Sequence, residues 1–498
     1  ARVGFSMALI EVLVLLILSP EHELTISAYL DLLLNLTEVK SNMKGKEERA
    51  VLFGRLFGLQ YMLNSGLLFE EKLSEPRQLT HFCSCLVDLA LTKPWIRESS
   101  FFTLSSFLVK FQELGRIDGQ VLLSTFQAIN DANLNLTTEG MSIYLSVPAD
   151  LRSSYASAIN INEKSNWKNG DPLTRGNIQL LSKVLKEVDT NVDEENKPKQ
   201  KGHWSPRVHF VWDLIIKDFT TINEETEKEN VLKRSKHSSK QRKKQKTGNG
   251  AEISPQRLTV GEFWKVVVDE SFFADKSSHE RKYWGFEVFI KFLKAVSDST
   301  DLVSLFTPNM LRCLINQSSL QGRLLHNISV QVLNSISEEA TLNPDKSPVI
   351  LKCLLDPSRG GTWNFDVVTK LKCVNDIISG SGAAESVKDV IILMFDEAKL
   401  LNSQETFDLE EAQKFTNDNL QKWCLDKLLL LVRSHKSSLA SSSWLQGIFE
   451  YLISISFFKV AGVSINIRST AQERLSSILS DVINLKTDKN EPWLLSCI

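Results

Sequence analysis

The sequence has few cysteines and no excess of charge of either sign. Seven cysteines occur in 498 residues, and the formal net charge is only −2. A buried thiol behaves as a small hydrophobic side chain, so sparse cysteines within apolar runs are typical of a reducing compartment. With 42% hydrophobic residues, the composition indicates a globular chain and excludes a disordered or fibrous one. The cysteines are Cys83, Cys85, Cys313, Cys353, Cys373, Cys424 and Cys497.

The sequence also lacks a hydrophobic run long enough to cross a bilayer. The most apolar stretch, residues 1–18, has Glu11 in its middle and is followed by Pro20. A spanning helix needs about 20 predominantly apolar residues. This stretch therefore predicts a buried helix, and we expect no membrane partner. The first residue is not Met, which indicates an excerpt or a processed chain.

Motifs of catalysis and metal binding are missing as well. The sequence has no Gly-x-x-x-x-Gly-Lys-Ser/Thr loop, no Gly-x-Ser-x-Gly elbow and no His-Glu-x-x-His. His81, Cys83 and Cys85 lie close together, but residues two apart on a helix point to different faces, and no second pair follows at zinc spacing. We therefore expect no metal, no cofactor, no small-molecule substrate and no enzymatic activity.

What the sequence does contain is a succession of amphipathic helical segments. Capping-box spacing at Thr259–Glu262 and Ser277–Glu280, and Ser-Pro or Thr-Pro pairs elsewhere, predict helix starts. In residues 204–219, the polar side chains Arg207, Asp213, Lys217 and Asp218 are predicted to project away from the apolar stripe. That stripe comprises Val208, Trp212, Ile215 and Phe219, and a second one comprises Tyr283, Phe286, Phe289, Ile290 and Leu293.

Alternating strand patterns are scarce, so the sequence predicts an all-α protein. Helix pairs recur at roughly 35 to 45 residues, the unit size of HEAT and armadillo arrays. Because one such pair cannot bury its apolar face alone, stacked pairs forming a superhelical α-solenoid are predicted, with a multi-domain helical bundle as the alternative. The predicted organisation is N-terminal repeats (1–185), a polar loop (186–204), a helix (205–220), a disordered basic linker (221–257) and C-terminal repeats (258–498).

Tryptophans offer a weak signal for nucleic-acid stacking. Trp167 and Trp204 lie in polar surroundings and are candidates to stack on nucleobases. The tryptophans in apolar helical stretches are expected to fill space between helices. These are Trp95, Trp264, Trp284, Trp423 and Trp444.

One dense block of positive charge stands out in this nearly neutral chain. It has three interpretations: a solvated linker, a nuclear or nucleolar address, or a phosphate-binding arm whose contacts release counterions. The last two are compatible, so we hypothesise an address that also acts as an electrostatic tether. The block, called the basic run below, comprises Lys233, Arg234, Lys236, Lys240, Arg242, Lys243, Lys244 and Lys246.

Six segments in order along the chain resemble the DNA polymerase V (polymerase phi) and Myb-binding protein 1A family of eukaryotic nucleolar proteins. They are ARVGFSMALIEVL, RLFGLQYMLNSGLLF, KPWIRESSFF, HFVWDLI, ERKYWGFEVF and WNFDVVTKLKCV. The resemblance implies a helical-repeat protein of the nucleus and nucleolus that acts in ribosome biogenesis and rRNA gene transcription. The expected partners are rRNA or rDNA, ribosome assembly or transcription proteins, and an import receptor. The acidic segment and basic tail of family members are absent here, which suggests a truncated chain.

The family name raises polymerase activity as an alternative function. Nucleotide addition needs two carboxylates holding two metal ions. The signature segments of family-B polymerases do not occur, and the nearest approximation, Asp189 and Asp193, falls in the predicted polar loop. A transport receptor of the karyopherin kind, which also stacks helix pairs, is a further alternative. We expect a non-enzymatic scaffold.

Overall fold

The computed structural model describes most of the chain and shows an all-α protein, as predicted. Its helices are connected by turns, and within the described residues the single β contact is an isolated bridge between Thr174 and Arg257. None of the described helices has the length and apolar content needed to cross a membrane. The chain divides into two compact units, Ala1–Val267 and Val268–Ile498. The described residues are 2–19, 24–116, 118–158, 166–186, 206–221, 257–403, 411–435 and 443–483.

The first unit contains eleven helices among its described residues, together with short 3-10 turns. A π-helical segment, Trp264–Asp269, contains the boundary to the second unit. The helices are α1 (Arg2–Leu18), α2 (Ile26–Leu36), α3 (Gly45–Asn64), α4 (Pro76–Thr92), α5 (Pro94–Glu113), α6 (Gly119–Asp131), α7 (Thr138–Leu145), α8 (Ala149–Ala158), α9 (Ile178–Lys186), α10 (211–221) and α11 (Val260–Phe263).

Helices of the first unit pack in the order of the chain. The helix α4 contacts α5 and α6, α5 also contacts α7, and α6 contacts α8. Helices two apart in the chain thus contact one another, which is the two-layer stacking of an α-solenoid. Phenylalanines that are fully enclosed, such as Phe82, Phe101, Phe107 and Phe126, fill the space between the layers.

The second unit is built in the same way. The helix pairs are formed by contacts such as α20 with α21 and α22 with α23, while α19 contacts α21 and α20 contacts α22. The predicted α-solenoid is therefore seen in each unit. Its helices are α12 (Glu270–Phe272), α13 (His279–Ala295), α14 (Ser299–Leu305), α15 (Pro308–Ser318), α16 (His326–Leu342), α17 (Ser347–Leu355), α18 (Phe365–Thr369), α19 (Cys373–Gly380), α20 (Ala384–Ser403), α21 (Glu411–Ser434), α22 (Ser443–Phe457) and α23 (Ile465–Val482).

Local chemistry at helix starts follows the sequence closely. The predicted capping box is formed at Thr259, whose hydroxyl accepts from the backbone N–H of Glu262 while the Glu262 carboxylate accepts from the Thr259 N–H. At α13 the cap is Ser278 and not Ser277, because the Ser278 hydroxyl accepts from Arg281 N–H. The sequence thus located this helix start to within one residue.

The apolar helix α1 differs from its prediction. The segment is helical, but it is not a buried helix, because only Leu13 and Ile17 are enclosed in its described part. Leu15 is 68% exposed and Met7 is 65% exposed. Hydrophobic sequence alone does not decide burial, since a helix is covered only where a neighbour packs, and the principal contact of α1 is with α3.

Candidate nucleic-acid interface

The basic run lies outside the described residues, as do Trp204 and the two carboxylates Asp189 and Asp193. The structure does describe the places where the segment carrying the run begins and ends. The segment 222–256 follows α10 directly and is followed by Arg257. The candidate interface is therefore built from α10 and from the residues around Arg257.

The apolar stripe of α10 packs this helix against the rest of the first unit. Trp212, Ile215 and Phe219 are buried as predicted, and Val208 is half-buried. The rings of Trp212 and Phe219 lie 6.1 and 5.4 Å from the ring of Phe263 on α11. The capping box at Thr259 starts α11 and so places Phe263 against this stripe.

The helix predicted at 205–220 begins later than expected, because residues 206–210 are not helical and the start of α10 is set by His209. The helix begins at residue 211, and the backbone N–H of Val211 donates to Nδ1 of His209 at 3.1 Å. This bond requires a neutral imidazole, because a doubly protonated ring has no acceptor. Burial, and then the positive charge of Arg207, lower the pKa of His209 to about 3.

Asp218, predicted to project away from the apolar stripe, has a side chain that is only 14% exposed. It lies in a cluster of two arginines and two aspartates that we call the ionic clamp: Arg152, Asp171, Asp218 and Arg257. The Arg152 guanidinium is fully buried, and its Nη2 lies 2.8 Å from Asp171 Oδ1 and 3.3 Å from Asp218 Oδ2. Arg257 Nη2 forms an ion pair with Asp218 Oδ2. The carboxylate is drawn inward because it has two cations to pair with.

Hydrogen bonds of the backbone hold the segments that carry two of these residues, Asp171 and Arg257. Thr174 and Arg257 form the isolated antiparallel bridge, and Leu258 N–H donates to the carbonyl of Leu173 at 3.0 Å. Asn177 stabilises the turn from Asp171 to Asn177. Its side-chain amide donates to the Asp171 carbonyl at 2.8 Å and to Thr174 Oγ1 at 2.9 Å. Arg257 and Leu258 are thereby tied to the loop that carries Asp171.

The charges of the clamp balance, and each shift of pKa has a clear cause. Burial lowers the pKa of Arg152, and the neighbouring Asp171 raises it again in part. Burial also lowers the pKa of Arg257, to about 10, with Asp171 acting in the opposite direction. Both guanidinium groups remain charged at neutral pH, so two cations face two carboxylates. Removing one member would leave an uncompensated buried charge.

A second ion pair reinforces the clamp nearby. Arg175 contacts Glu262 through two nitrogens, with Nε 3.0 Å from Oε2 and Nη2 2.8 Å from Oε1. Because Glu262 is also the acceptor of the capping box, this pair ties the turn at Asn177 to the start of α11. The clamp and this pair together hold residue 221 and residue 257 on one region of the first unit. The arrangement fixes the two ends of the segment that carries the basic run.

Two predictions about tryptophan are wrong. Trp167 is not available to stack on bases, because it is 2% exposed and its Nε1 donates to the carbonyl of Asn135 at 2.9 Å. Trp95, expected to fill the core, is 41% exposed and lies 5.0 Å below the guanidinium of Arg49. Trp264 and Trp444 are buried as expected.

The described residues contain no group of three or more His, Cys, Asp or Glu side chains placed to hold a metal ion. Cys83 and Cys85, the closest sequence candidates, are both buried in α4. Burial raises the pKa of Cys83 to about 12 and that of Cys85 to about 11, so both stay as thiols at neutral pH.

Comparison with known proteins identifies the family. The family model of DNA polymerase phi matches residues 1–498. The chain belongs to the DNA polymerase phi family. The similarity inferred from the six sequence segments is thereby confirmed.

Two curated relatives of this family are both described as regulators of rDNA transcription. The chain is 32% identical to the rDNA transcriptional regulator POL5 of Saccharomyces cerevisiae over 100% of its own length and 48% of the relative's. It is 26% identical to the rDNA transcriptional regulator pol5 of Schizosaccharomyces pombe, over 92% and 42% of the two chains. The chain thus spans about half the length of these relatives. No solved structure matches the chain.

Proposed function

We propose that this chain is a non-enzymatic helical scaffold within a regulator of ribosomal DNA transcription, and that it acts in ribosome biogenesis in the nucleolus. The observation that carries the proposal is the 32% identity, across the whole chain, to a protein described as an rDNA transcriptional regulator. Stacked helix pairs suit this role because they present long surfaces to partners without requiring a catalytic pocket.

The basic run is the part of the scaffold that contacts nucleic acid. Each lysine or arginine that neutralises a phosphate releases a condensed counterion, which gives affinity without sequence specificity. The ionic clamp supports this role because it holds both ends of the segment 222–256 at one place on the first unit. The run also serves as the address that an import receptor reads.

A salt titration tests the nucleic-acid contact. The eight basic residues of the run are replaced by glutamine in the full chain, and binding to an rDNA duplex and to single-stranded rRNA is measured by fluorescence anisotropy. For each phosphate that the variant no longer neutralises, the slope of log affinity against log salt should decrease by about 0.9 on the duplex and about 0.7 on the single strand. The matched control replaces eight exposed residues elsewhere, namely Lys40, Lys46, Lys72, Arg77, Arg312, Lys352, Lys422 and Lys459.

The two variants change net charge equally, so the comparison separates a local contact from a general charge effect. Equal slopes in the two variants would contradict a specific role for the run. The same pair of variants, expressed with a fluorescent tag, tests the address: the run variant should leave the nucleolus and the control variant should remain there. If the run variant changes neither the localisation nor the salt slope, the remaining interpretation of the basic run is a solvated linker.

Polymerase activity is the competing function, because it appears in the family's description. A primer-extension assay with the full chain, Mg²⁺ or Mn²⁺ and all four nucleotides tests it directly. The scaffold proposal predicts no extension above background. Extension that is abolished by replacing Asp189 and Asp193 with alanine would overturn that proposal.

A further inference from the structure

A groove runs along the surface of the first unit between α5 and α10. Its volume is about 400 Å³. It lies on the side of α10 that does not face Phe263, and no residue of the clamp lines it. The lining residues are Phe102, Ser105, Ser106, Val109, Lys110, Glu113, Phe210, Asp213 and Leu214.

The groove is lined by apolar side chains, by two serines and by three charged residues. Phe102 is 52% exposed, and its ring meets that of Phe210 edge to face at 5.2 Å. The hydroxyls of Ser105 and Ser106 already form hydrogen bonds, with Ser146 Oγ at 2.7 Å and with the Phe102 carbonyl at 2.8 Å. A ligand would therefore contact exposed apolar side chains beside two short serines, which favours the burial of apolar side chains of the ligand.

An aromatic row extends the apolar surface beyond the Phe102 end of the groove. Trp95, two turns before Phe102 on α5, is 41% exposed and lies 5.1 Å from the ring of Phe53. Phe57, 42% exposed, stacks on Phe53 at 5.9 Å. Exposed rings on two neighbouring helices, next to an apolar groove, are typical of protein-binding surfaces, where large aromatic side chains carry much of the affinity.

The charges that line the groove favour a basic protein segment over nucleic acid. At the Phe102 end, the charge of Arg207 is paired with Glu98 at 2.5 Å. The Lys110 ammonium lies 4.7 Å from the ring of Phe69. The charged side chains that line the groove are one cation, Lys110, and two carboxylates, Glu113 and Asp213. A phosphate backbone would be repelled there, whereas a lysine or arginine would be attracted.

We propose that this groove binds an amphipathic α-helix of a partner protein, with a basic polar face. From Phe102 to Glu113, α5 extends about 16 Å, which is three helical turns. A helix laid along it can insert apolar side chains at positions i, i+4 and i+7 between Phe102, Val109 and Leu214. Its basic residues would then face Glu113 and Asp213. This site rests on the scaffold role proposed above and specifies one class of partner for it.

A displayed peptide library identifies the class of ligand that the groove selects. A phage library of random 16-residue segments is selected on the full wild-type chain, with counter-selection on the Phe102→Ala variant. The selected peptides should carry apolar residues at i, i+3 or i+4, and i+7, together with lysine or arginine on the opposite face. Circular dichroism of the free and bound peptide should show that helix content increases on binding.

Variants at the groove then test where the selected peptide binds. Phe102→Ala should weaken its affinity at least tenfold, because an exposed aromatic anchor is removed. Glu113→Lys changes an exposed side chain outside the core, and it should weaken the basic peptide several-fold at low salt. The matched control is Phe458→Ala, which removes a phenylalanine that is 63% exposed on the second unit and should leave affinity unchanged.

Three results would overturn the proposal. They are enriched peptides without helical periodicity, no enrichment that depends on Phe102, and binding of a 12-nucleotide oligouridine that Phe102→Ala abolishes. The last result would assign the surface to base stacking. The groove variants should leave the salt slope of nucleic-acid binding unchanged, so failure here is distinguishable from failure of the basic run as a tether.

Discussion

Asp218 and Arg257 form an ion pair across the two ends of the segment that carries the basic run. Asp218 lies in the last turn of α10, and Arg257 is the first described residue after the segment. The buried Arg152 contacts the same carboxylate, and Asp171 contacts both arginines. The protein therefore anchors its most basic segment at a fixed, charge-balanced site, which limits where the run can reach on the molecule's surface.

Replacing Asp218 with asparagine should loosen this anchor. The change leaves Arg152, whose side chain is 0% exposed, facing one carboxylate instead of two. Breaking a buried ion pair in this way costs about 3 kcal/mol or more. Amide hydrogen exchange of α10, followed by mass spectrometry, should show about a hundredfold faster exchange, because 1.4 kcal/mol corresponds to a factor of ten.

Arg207→Gln is the matched control for the anchor. It also removes an ion pair between the α10 region and another helix, but Arg207 is 71% exposed. An exposed pair contributes at most about 1 kcal/mol. If the two variants accelerate exchange equally, the clamp does not hold the segment.

Acid should destabilise the first unit through His209. Its pKa is about 3 in the folded chain, because burial and Arg207 disfavour the imidazolium, and about 6.5 when unfolded. Between these values the unfolded chain binds the proton and the folded chain does not, so stability falls as pH falls. From pH 7 to pH 5 the loss should be about 2 kcal/mol, measured by denaturant unfolding.

His209→Asn isolates this contribution. Asparagine can accept a hydrogen bond from Val211 N–H in place of Nδ1, but it does not titrate. The variant should therefore lose less stability than the wild type between pH 7 and pH 5. If the free energy of unfolding falls equally with pH in the variant and the wild type, the acid sensitivity comes from other groups.

Local sequence chemistry predicts the fold well, because helices depend on neighbours in sequence. The apolar stripe at Trp212, Ile215 and Phe219 is buried, and the capping box at Thr259 is formed. The second stripe is also buried at Phe286 and Phe289. These features need only the 3.6-residue period and the unpaired N–H groups of a helix start.

The candidate site is less predictable, because its contacts join distant positions. The helical pattern places Asp218 away from the apolar stripe, but nothing near it in sequence indicates that Arg152 and Arg257 approach it. The predictions for Trp95 and Trp167 fail for a similar reason: apolar or polar neighbours in sequence do not determine which face a helix partner covers. The role of the basic run stays a prediction.

The cysteines of the described residues should resist alkylation in the native chain. Burial raises the pKa of Cys373 to about 12 and that of Cys353 to about 11, so little thiolate exists at pH 8. Cys313 also has a pKa of about 11 but is only half-buried. Iodoacetamide labelling followed by peptide mass spectrometry should modify Cys313 before Cys373. In 6 M guanidinium, where the chain is unfolded, the two cysteines should be labelled at equal rates. Equal labelling rates in the native chain would contradict the burial of Cys373.

Gly462 should tolerate no side chain at the turn between α22 and α23. Its φ is +75°, and a Cβ atom there would lie 1.9 Å from the Lys399 carbonyl oxygen on α20. Its own carbonyl accepts from the buried Gln421 Nε2 at 3.0 Å, so the turn cannot move away without losing this bond. Gly462→Ala should destabilise the second unit by about 2 kcal/mol or more, measured by hydrogen exchange of α21 to α23.

The control for this substitution is Gly322→Ala in the same unit. A Cβ at Gly322 meets no atom within 4 Å, and its φ is not in the left-handed region. That variant should change stability by less than about 0.5 kcal/mol. If Gly462→Ala behaves like Gly322→Ala, the turn does not pack against α20 and α21, and the stacking of the last two helices must be arranged differently.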